Sequence, residues 1–335
     1  MNPNRRQLIQ ACVAAGAGMA FPAIVRGQSP FRLKFANIMP SDHPLNTRMR
    51  EASAEIRQKT GGLVDIQVFP ASQLGTDADM LSQLRSGGID FFAQTGLILA
   101  TLVPVASING IGFAFPDYPS VWKAMDGPLG KHVIGAFDKA NLIAFENMWD
   151  NGFRQTLSAT RPIRTPEDLK GFKIRVPPSP LWTSMFKSLG ASPVSIPWGE
   201  TYTALQTRIA DGLENPLAGI YFAKMHEVGK YLSSTNHMWD GFWFLANRRA
   251  FEALPAAARD VVRQTVNAAA LKQRGDVEVL NKDLGASIAK SVEFVEANPS
   301  AFRQQLRQSG FYEEWKKKMG DEVWGLLEAT TGRLV

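Results

Sequence analysis

Residues 171–216, GFKIRVPPSPLWTSMFKSLGASPVSIPWGETYTALQTRIADGLENP, decide how the rest of the chain is interpreted. Apolar and basic residues alternate through 172–176, which is the two-residue period of a half-buried strand. We therefore expect Arg175 to point away from the apolar face of that strand. Pro177-Pro178 ends the strand because proline supplies no ladder donor. Arg175 thus lies at the carboxyl end of a strand, where open α/β sheets bind ligands.

The remainder of this stretch predicts two helices and a returning loop. Ser179-Pro180 is typical of an N-cap followed by proline at the first helical position, and Gly190 ends the apolar stripe that starts at Trp182. A short strand is predicted over 191–196, and a helix from about Glu200 to Gly212. Residues 213–216 are then expected to form a loop that brings the Asn215 amide towards the strand ends.

Four pieces of sequence, taken together, resemble one family. They are NGFRQ at 151–155, GFKIRVP at 171–177, LGASP at 189–193 and TYTALQTRIADGLENP at 201–216. In this order and spacing they resemble the solute-binding proteins of tripartite ATP-independent periplasmic (TRAP) transporters, and the similarity extends over nearly the whole mature chain. The resemblance implies an α/β, two-lobed periplasmic binding protein fold, with a ligand cleft between the lobes and a long helix spanning both.

Residues 1–27 are predicted to be an export signal. Arg5-Arg6 precede an apolar run of small residues that is too short to span a bilayer. The residues that follow the arginine pair suggest the twin-arginine route, and an ordinary Sec signal is the alternative. Val25-Arg26-Gly27 places small residues where a signal peptidase requires them, so we expect a periplasmic protein that begins at Gln28.

Composition narrows the class of protein. Removing residues 1–27 removes the single cysteine, Cys12, and lowers the formal net charge of the 335-residue chain from +6 to +3. A chain of this length without disulfides must be stabilised by its core. The weak positive charge comes without a basic stripe, so nucleic acid is not an expected partner. No later run of apolar residues is long enough to span a membrane, which predicts a soluble mature protein.

Strands and helices are predicted to alternate along the chain, which favours a parallel sheet. Strands are expected at 31–35, 63–69, 89–92, 142–148 and 236–246, and helices at 45–59, at 217–232 and over most of 250–291, with a break at Gly285. Residues 149–154 are predicted to be the first passage between lobes. The first lobe is then 28–151 plus 241–280, and the second is 152–240 plus 281–335, with the last helices packed on the second lobe.

An enzyme is the weaker interpretation of this sequence. It contains no G-x-S-x-G, P-loop or H-E-x-x-H motif, and its four histidines are scattered. No catalytic residue, metal ligand or cofactor is therefore predicted. A secreted enzyme that acts on an organic acid is kept as the alternative from another class.

The predicted chemistry is carboxylate recognition. The planar guanidinium of Arg175 matches a carboxylate with two parallel hydrogen bonds, which lysine cannot reproduce. The family resemblance assigns that contact to Arg175, a second basic contact to Arg154 and an amide contact to Asn215. The other predicted ligand contacts are Trp149, Asn151, Gln73, Thr95, Trp198 and Trp239.

Aromatic residues near the predicted cleft bear on the ligand. Trp149, Phe153, Trp182, Trp198 and Trp239 favour an organic acid with an apolar or ring-shaped body, such as an aromatic or branched hydroxy acid. A sugar acid or a C4-dicarboxylate is the alternative. The resemblance also implies small and large TRAP membrane subunits as partners of a monomeric binding protein.

Overall fold

The computed structural model describes residues 29–335, so the predicted export signal lies outside the described residues. The described part of the chain contains eleven strands. They are β1 Phe31–Ala36, β2 Val64–Phe69, β3 Phe91–Thr95, β4 Leu142–Ala144, β5 Trp149–Ser158, β6 Lys173–Val176, β7 Ser192–Ser195, β8 Gly212–Pro216, β9 Tyr231–Ser233, β10 Trp239–Asn247 and β11 Glu293–Val295.

Thirteen α-helices lie between and after these strands in the described residues. They are α1 Pro44–Lys59, α2 Asp77–Ser86, α3 Gly96–Leu99, α4 Tyr118–Met125, α5 Pro128–Lys139, α6 Pro180–Ser188, α7 Thr201–Gln206, α8 Leu217–Phe222, α9 Arg248–Glu252, α10 Ala256–Ile288, α11 Pro299–Gln308, α12 Phe311–Met319 and α13 Asp321–Thr331. Short 3-10 helices cover Pro104–Gly110, Pro166–Leu169, Trp198–Glu200 and Met225–Glu227. No helix in this part of the chain has both the length and the apolar content needed to cross a membrane.

The strands form one hydrogen-bonded network in the order β2-β1-β3-β10-β5-β8-β6-β7. Strand β1 runs parallel to β2 and β3, and β10 runs antiparallel to β3. On the other side, β6 runs parallel to β7 and β8. We call the part built on β1 to β4 and β10 the first lobe, and the part built on β6 to β9 and β11 the second lobe. The mixed α/β class with two lobes confirms the fold predicted from the sequence.

Strand β5 belongs to both lobes. Its first half pairs antiparallel with β10, with Trp149 opposite Phe242 and Phe153 opposite Trp239. Its second half, from Arg154 onward, pairs with β8 and β9. The predicted passage between lobes at 149–154 is thus part of a continuous strand in which the hydrogen-bond partners change.

Helix α10 is the other element common to both lobes. Its first half buries residues such as Val262 and Val266 in a core with β1 and β10. Its last turns bury Leu284 and Ile288 in a core with β5 and β8. The helix runs through Gly285 to Ile288, so the predicted break at Gly285 was wrong, while the long helix that spans both lobes is confirmed.

Further local predictions were wrong. The helix expected from about Glu200 to Gly212 ends at Gln206. Residues Gly212–Pro216 form the fully buried strand β8, although a loop was predicted over 213–216. The helix predicted over 217–232 stops at Phe222, because Lys224 adopts a left-handed conformation with φ of +56°. The chain then forms a 3-10 turn and strand β9.

The C-terminal helices contact both lobes. Trp315 of α12 donates a hydrogen bond from Nε1 to Oγ of Ser184 on α6, in the second lobe. Helix α13, however, packs against α4 and α5, which precede β4 in the first lobe. The expectation that all the last helices pack on the second lobe therefore does not hold for α13, and the residue boundaries of the lobes stay a prediction.

Candidate ligand-binding site

A small cavity lies between the two lobes. The first lobe contributes residues at and after the ends of β1 and β3 and at the start of α2, namely Ile38, Met39, Asp77, Gln94, Thr95 and Ile98. The second lobe contributes Arg175, Pro177, Trp182, Trp198 and Asn215. The crossing strands β5 and β10 contribute Asn151, Arg154, Asp240 and Phe242. The cavity thus lies at the carboxyl ends of parallel strands, where α/β sheets bind ligands.

Arg175 is held in the cavity wall by one backbone carbonyl. Its Nε and Nη2 donate to the oxygen of Ile196 at 2.9 and 2.6 Å. Its guanidinium lies over the ring of Trp198, 5.5 Å from the centroid. Within residues 29–335, Nη1 is buried without a hydrogen-bond partner. Burial lowers the pKa of Arg175 to about 10, so the side chain remains a cation at neutral pH.

The sequence predicted that Arg175 points away from the apolar face of β6, and the alternation is observed. Ile174 and Val176 lie in the core, whereas Arg175 lines the cavity. The strand is nevertheless not half exposed, because the other lobe covers the second face and leaves Arg175 only 1% accessible.

Arg154 is neutralised by two buried carboxylates. Its Nε and Nη2 pair with both carboxylate oxygens of Glu214, and Nη1 donates to Oδ2 of Asp240 at 2.8 Å. His237 adds a contact of 3.1 Å between Nε2 and Oε2 of Glu214. Burial acts to raise the pKa of Glu214, but the charge of Arg154 and the bond from His237 outweigh it and lower that pKa. Glu214 therefore stays ionised.

Asp240 connects this network to the first lobe. Oγ1 of Thr95 donates to its Oδ1, and Nδ2 of Asn151 donates to its Oδ2 at 2.9 Å. Because the amide nitrogen of Asn151 faces that carboxylate, the oxygen Oδ1 is the atom that points elsewhere. Among the described residues this Oδ1 has no hydrogen-bond partner.

Asn215 packs closely against the start of α8. A methyl group at Gly219 would come within 2.1 Å of Oδ1 of Asn215, so only glycine allows the asparagine to occupy this position. That oxygen is buried and has no hydrogen-bond partner in the described part of the chain.

Residues 35–318 match the family described as bacterial extracellular solute-binding protein, family 7. This chain belongs to that family. Among its relatives, an uncharacterized protein of Sinorhizobium fredii is 34% identical over 258 residues, which are 74% of this chain and 48% of that protein. This chain therefore spans about half the length of that relative. The C4-dicarboxylate-binding periplasmic protein of Rhodobacter capsulatus is 27% identical, and the match covers 97% of this chain and 98% of that protein.

Solved structures of TRAP solute-binding proteins share the fold. The sugar acid binding protein of Advenella mimigardefordensis in complex with galactonate is 28% identical with a TM-score of 0.86, covering 90% of this chain and 98% of that one. The TRAP periplasmic solute-binding protein of Desulfovibrio salexigens with bound orotic acid is 27% identical with a TM-score of 0.85, covering 91% and 100%. The resemblance to TRAP solute-binding proteins is thus confirmed.

In this solute-binding protein, six of the nine predicted contact residues lie together around the cavity: Arg175, Arg154, Asn215, Asn151, Thr95 and Trp198. The other three lie elsewhere. Trp149 and Trp239 are packed in the hydrophobic cores, and Gln73 is an exposed loop residue. Trp239 donates from its ring nitrogen to Oδ1 of Asp150 at 2.9 Å, which fixes the ring on the core side of β10.

The sequence interpretation missed several residues that line the cavity of the solute-binding protein, including Asp77, Gln94 and Asp240. Asp77 was hidden because an acidic residue at the start of a helix is usually an ordinary N-terminal stabiliser. Its carboxylate instead accepts a hydrogen bond from Nε2 of Gln94 and lines the cavity. One indication of this site was present in the sequence: Gln94 and Thr95 end a strand on the same side of the sheet as Arg175.

Proposed function

We propose that this solute-binding protein captures a small organic acid in the cavity between its lobes and delivers it to a TRAP-type secondary transporter. One observation carries the proposal. The guanidinium of Arg175 lines a cavity between the lobes, and its Nη1 is buried without a hydrogen-bond partner in the described residues. A carboxylate is the group that best matches such a donor, because charge-assisted bonds to a guanidinium are strong and directional.

Arg154 has a different role in this proposal from the one that the resemblance implies. Its charge is balanced by Glu214 and Asp240, whereas no carboxylate contacts Arg175 among residues 29–335. The ligand carboxylate is therefore assigned to Arg175, with the Asn215 amide beside it. Arg154 joins β8 and β10 through its ion pairs, and it also lines the cavity.

The apolar part of the cavity supports an acid with an apolar or ring-shaped body. Trp182, Trp198 and Phe242 line it, together with Ile38, Met39 and Ile98. An aromatic or branched hydroxy acid suits these walls. A sugar acid or a C4-dicarboxylate is the alternative within the same family, since relatives are described as binding each of these classes.

The delivery of the acid to membrane subunits is inferred from membership in the family. We propose that residues 1–27 direct export, that the mature protein works in the periplasm as a monomer, and that small and large TRAP membrane subunits accept the acid. Genes for two such subunits beside this one would support the assignment, and a gene pair for an ATP-driven transporter would contradict it.

The binding proposal is tested in two stages. A thermal-shift screen against a library of carboxylates identifies ligands, because a compound that binds only the folded state raises the melting temperature. Titration calorimetry then compares Arg175→Ala, Arg175→Lys and the exposed control Arg164→Ala with the parent. We expect Arg175→Ala to lose about 2–5 kcal/mol of binding free energy. Arg175→Lys should recover only part of that loss because it lacks the planar fork.

Each outcome of this titration has a definite meaning. Arg164 is exposed and does not line the cavity, so its alanine variant should bind like the parent. If Arg175→Ala binds as tightly as the parent, the ligand does not contact Arg175 and the proposed site is wrong. If the acid is returned chemically altered after incubation with the protein, the chain is an enzyme instead.

A further inference from the structure

The groups around the cavity include more carboxyl groups than guanidinium groups. Two guanidinium groups, Arg154 and Arg175, are accompanied by three carboxylates, Asp77, Glu214 and Asp240. His237 contacts Glu214, but burial lowers its pKa, so it adds no charge at neutral pH. A bound monocarboxylate raises the number of carboxylates to four, and a dicarboxylate raises it to five. Because buried like charges repel strongly, the site disfavours a second carboxylate on the ligand.

Asp77 is the carboxylate in this group that has no arginine partner. Glu214 and Asp240 both contact Arg154 directly, whereas Asp77 accepts a hydrogen bond from the Gln94 amide. Asp77 is only 6% accessible and lies on the first-lobe wall of the cavity. Burial raises the pKa of its carboxyl, while the bond from Gln94 and the charge of Arg175 act in the opposite direction.

Asn151 also lines the cavity and has a buried acceptor without a partner in the described part of the chain. Oδ1 of Asn151 is buried and has no hydrogen-bond partner among residues 29–335, and its amide nitrogen is already fixed by Asp240. A buried acceptor without a donor is costly, as is the unpartnered Nη1 of Arg175. A ligand that bonds to both Nη1 of Arg175 and Oδ1 of Asn151 must therefore have an acceptor for the first and a donor for the second.

We propose that Asp77 and Asn151 recognise a hydrogen-bond donor on the bound acid, a hydroxyl or an ammonium group, and that Asp77 excludes a second carboxylate. This inference rests on the proposed function, since it presumes that Arg175 binds the first carboxylate. It makes Asp77 the residue that separates hydroxy or amino acids from dicarboxylates. It also predicts discrimination against 2-oxo acids, which have an acceptor where the donor is required.

The test uses acids of one size that differ in a single group. The four-carbon series is butanoate, 2-hydroxybutanoate, 3-hydroxybutanoate, 2-oxobutanoate, 2-aminobutanoate and succinate. Phenylacetate, mandelate and phenylglyoxylate form a matched aromatic series. We expect the tightest donor-bearing acid to bind the parent at least about tenfold more tightly than the unsubstituted acid, the oxo acid or succinate. The hydroxy and amino acids are separate arms that identify the donor.

Two variants then assign the preference to Asp77. Asp77→Asn keeps the size of the side chain but removes its charge, so the preference for a donor should shrink to within about threefold and succinate should gain affinity. Asp260→Asn removes a carboxylate from an exposed position on α10 and should leave every affinity unchanged. The preference of the parent protein is measured without any variant, so the inference can be tested even if Asp77→Asn folds poorly.

Three outcomes overturn the inference. In the first, the parent protein binds the unsubstituted acid, the oxo acid or succinate as tightly as the donor-bearing acid. In the second, Asp77→Asn keeps the parent's preference for the donor-bearing acid. In the third, Asp260→Asn changes that preference as much as Asp77→Asn does. If neither series binds, the tightest acid from the library screen replaces them, together with its analogue that lacks the donor. If no acid in the library binds, the proposed function itself fails, which is a distinguishable result.

Discussion

Arg154 and Arg175 have the same side chain but opposite electrostatic surroundings in the structure. Arg154 forms ion pairs with Glu214 and Asp240, and all three side chains are at most 2% accessible. Arg175 is equally buried but donates only to a backbone carbonyl. The first arginine is therefore part of the folded framework, and the second is a charge that folding leaves without a counterion in contact.

This difference predicts losses of stability of different size. Arg154→Met leaves Glu214 and Asp240 buried without their cation, so it should lower the free energy of unfolding by about 3–5 kcal/mol. Arg175→Met removes a buried charge that has no carboxylate in contact but leaves the Ile196 carbonyl without its two donors, so it should lower that free energy by only about 1–2 kcal/mol. Urea unfolding of both variants without added acid measures the two values. Equal losses would show that Arg175 also stabilises the fold.

Part of the binding site could be predicted from single residues. Arg175 was recognisable because alternation and the following prolines place it at a strand end, and that local signal held. Trp149 and Trp239 were misplaced because an aromatic residue next to a hinge can face the core or the cavity, and only the neighbouring strands decide which. Asp77 could not be found because its role depends on Gln94 and Arg175, which are distant in the sequence.

Among the elements, β5 and α10 each contain a glycine whose surroundings can be tested. Gly152 in β5 has φ of +114°, and a methyl group there would lie 3.3 Å from both Nδ2 of Asn281 and Cβ of Pro216. It pairs with Asp240, next to an irregularity in the β10 register. Gly285 in α10 has nothing within 4 Å of an added methyl group.

Alanine at these two glycines should therefore have opposite effects. Gly152→Ala forces a side chain into a left-handed conformation and should destabilise the protein by about 1–3 kcal/mol. Gly285→Ala improves helix propensity at an uncrowded position and should stabilise it by about 0.5–1 kcal/mol. Chemical unfolding of the pair measures both changes. A loss of stability in Gly285→Ala would mean that α10 is broken there, as the sequence had suggested.

Elements with a clear amphipathic period and distinct ends were predicted well. Helix α1 was expected at 45–59 and spans Pro44–Lys59, because a proline starts it and glycines follow it. Residues 213–216, which include the polar Glu214 and Asn215, were predicted to form a loop but belong to strand β8. Both are buried, and Glu214 is stabilised there by Arg154 from another strand. Long-range ion pairing of this kind leaves no periodic signal in the sequence.

At the scale of the whole molecule, the position of the cavity between the lobes predicts that they move when a ligand binds. Its wall includes deeply buried side chains, with Arg175 at 1% and Asp240 at 0% accessibility, so we expect the lobes to separate for a ligand to reach them. The chain crosses between the lobes along β5, at Trp149–Ser158, and along the adjoining strand β10. Opening should therefore be a rotation about these strands.

Small-angle scattering can measure this closure. A tightly bound acid should convert an open ensemble to a closed one and reduce the radius of gyration, because the ligand contacts both lobes only in the closed state. Arg175→Ala at the same acid concentration should keep the larger radius. A radius that does not change when the calorimetrically confirmed ligand saturates the parent protein would contradict closure about β5 and β10.

The sharing of β5 has a consequence for folding cooperativity. Residues 149–153 complete the hydrogen-bond ladder of one lobe, and 154–158 complete that of the other. Unfolding either lobe alone would strip half of this strand of its partners and expose the part of α10 that the core of that lobe covers. We therefore expect the two lobes to unfold together rather than one at a time. Limited proteolysis of the folded protein should then find no stable, half-unfolded intermediate.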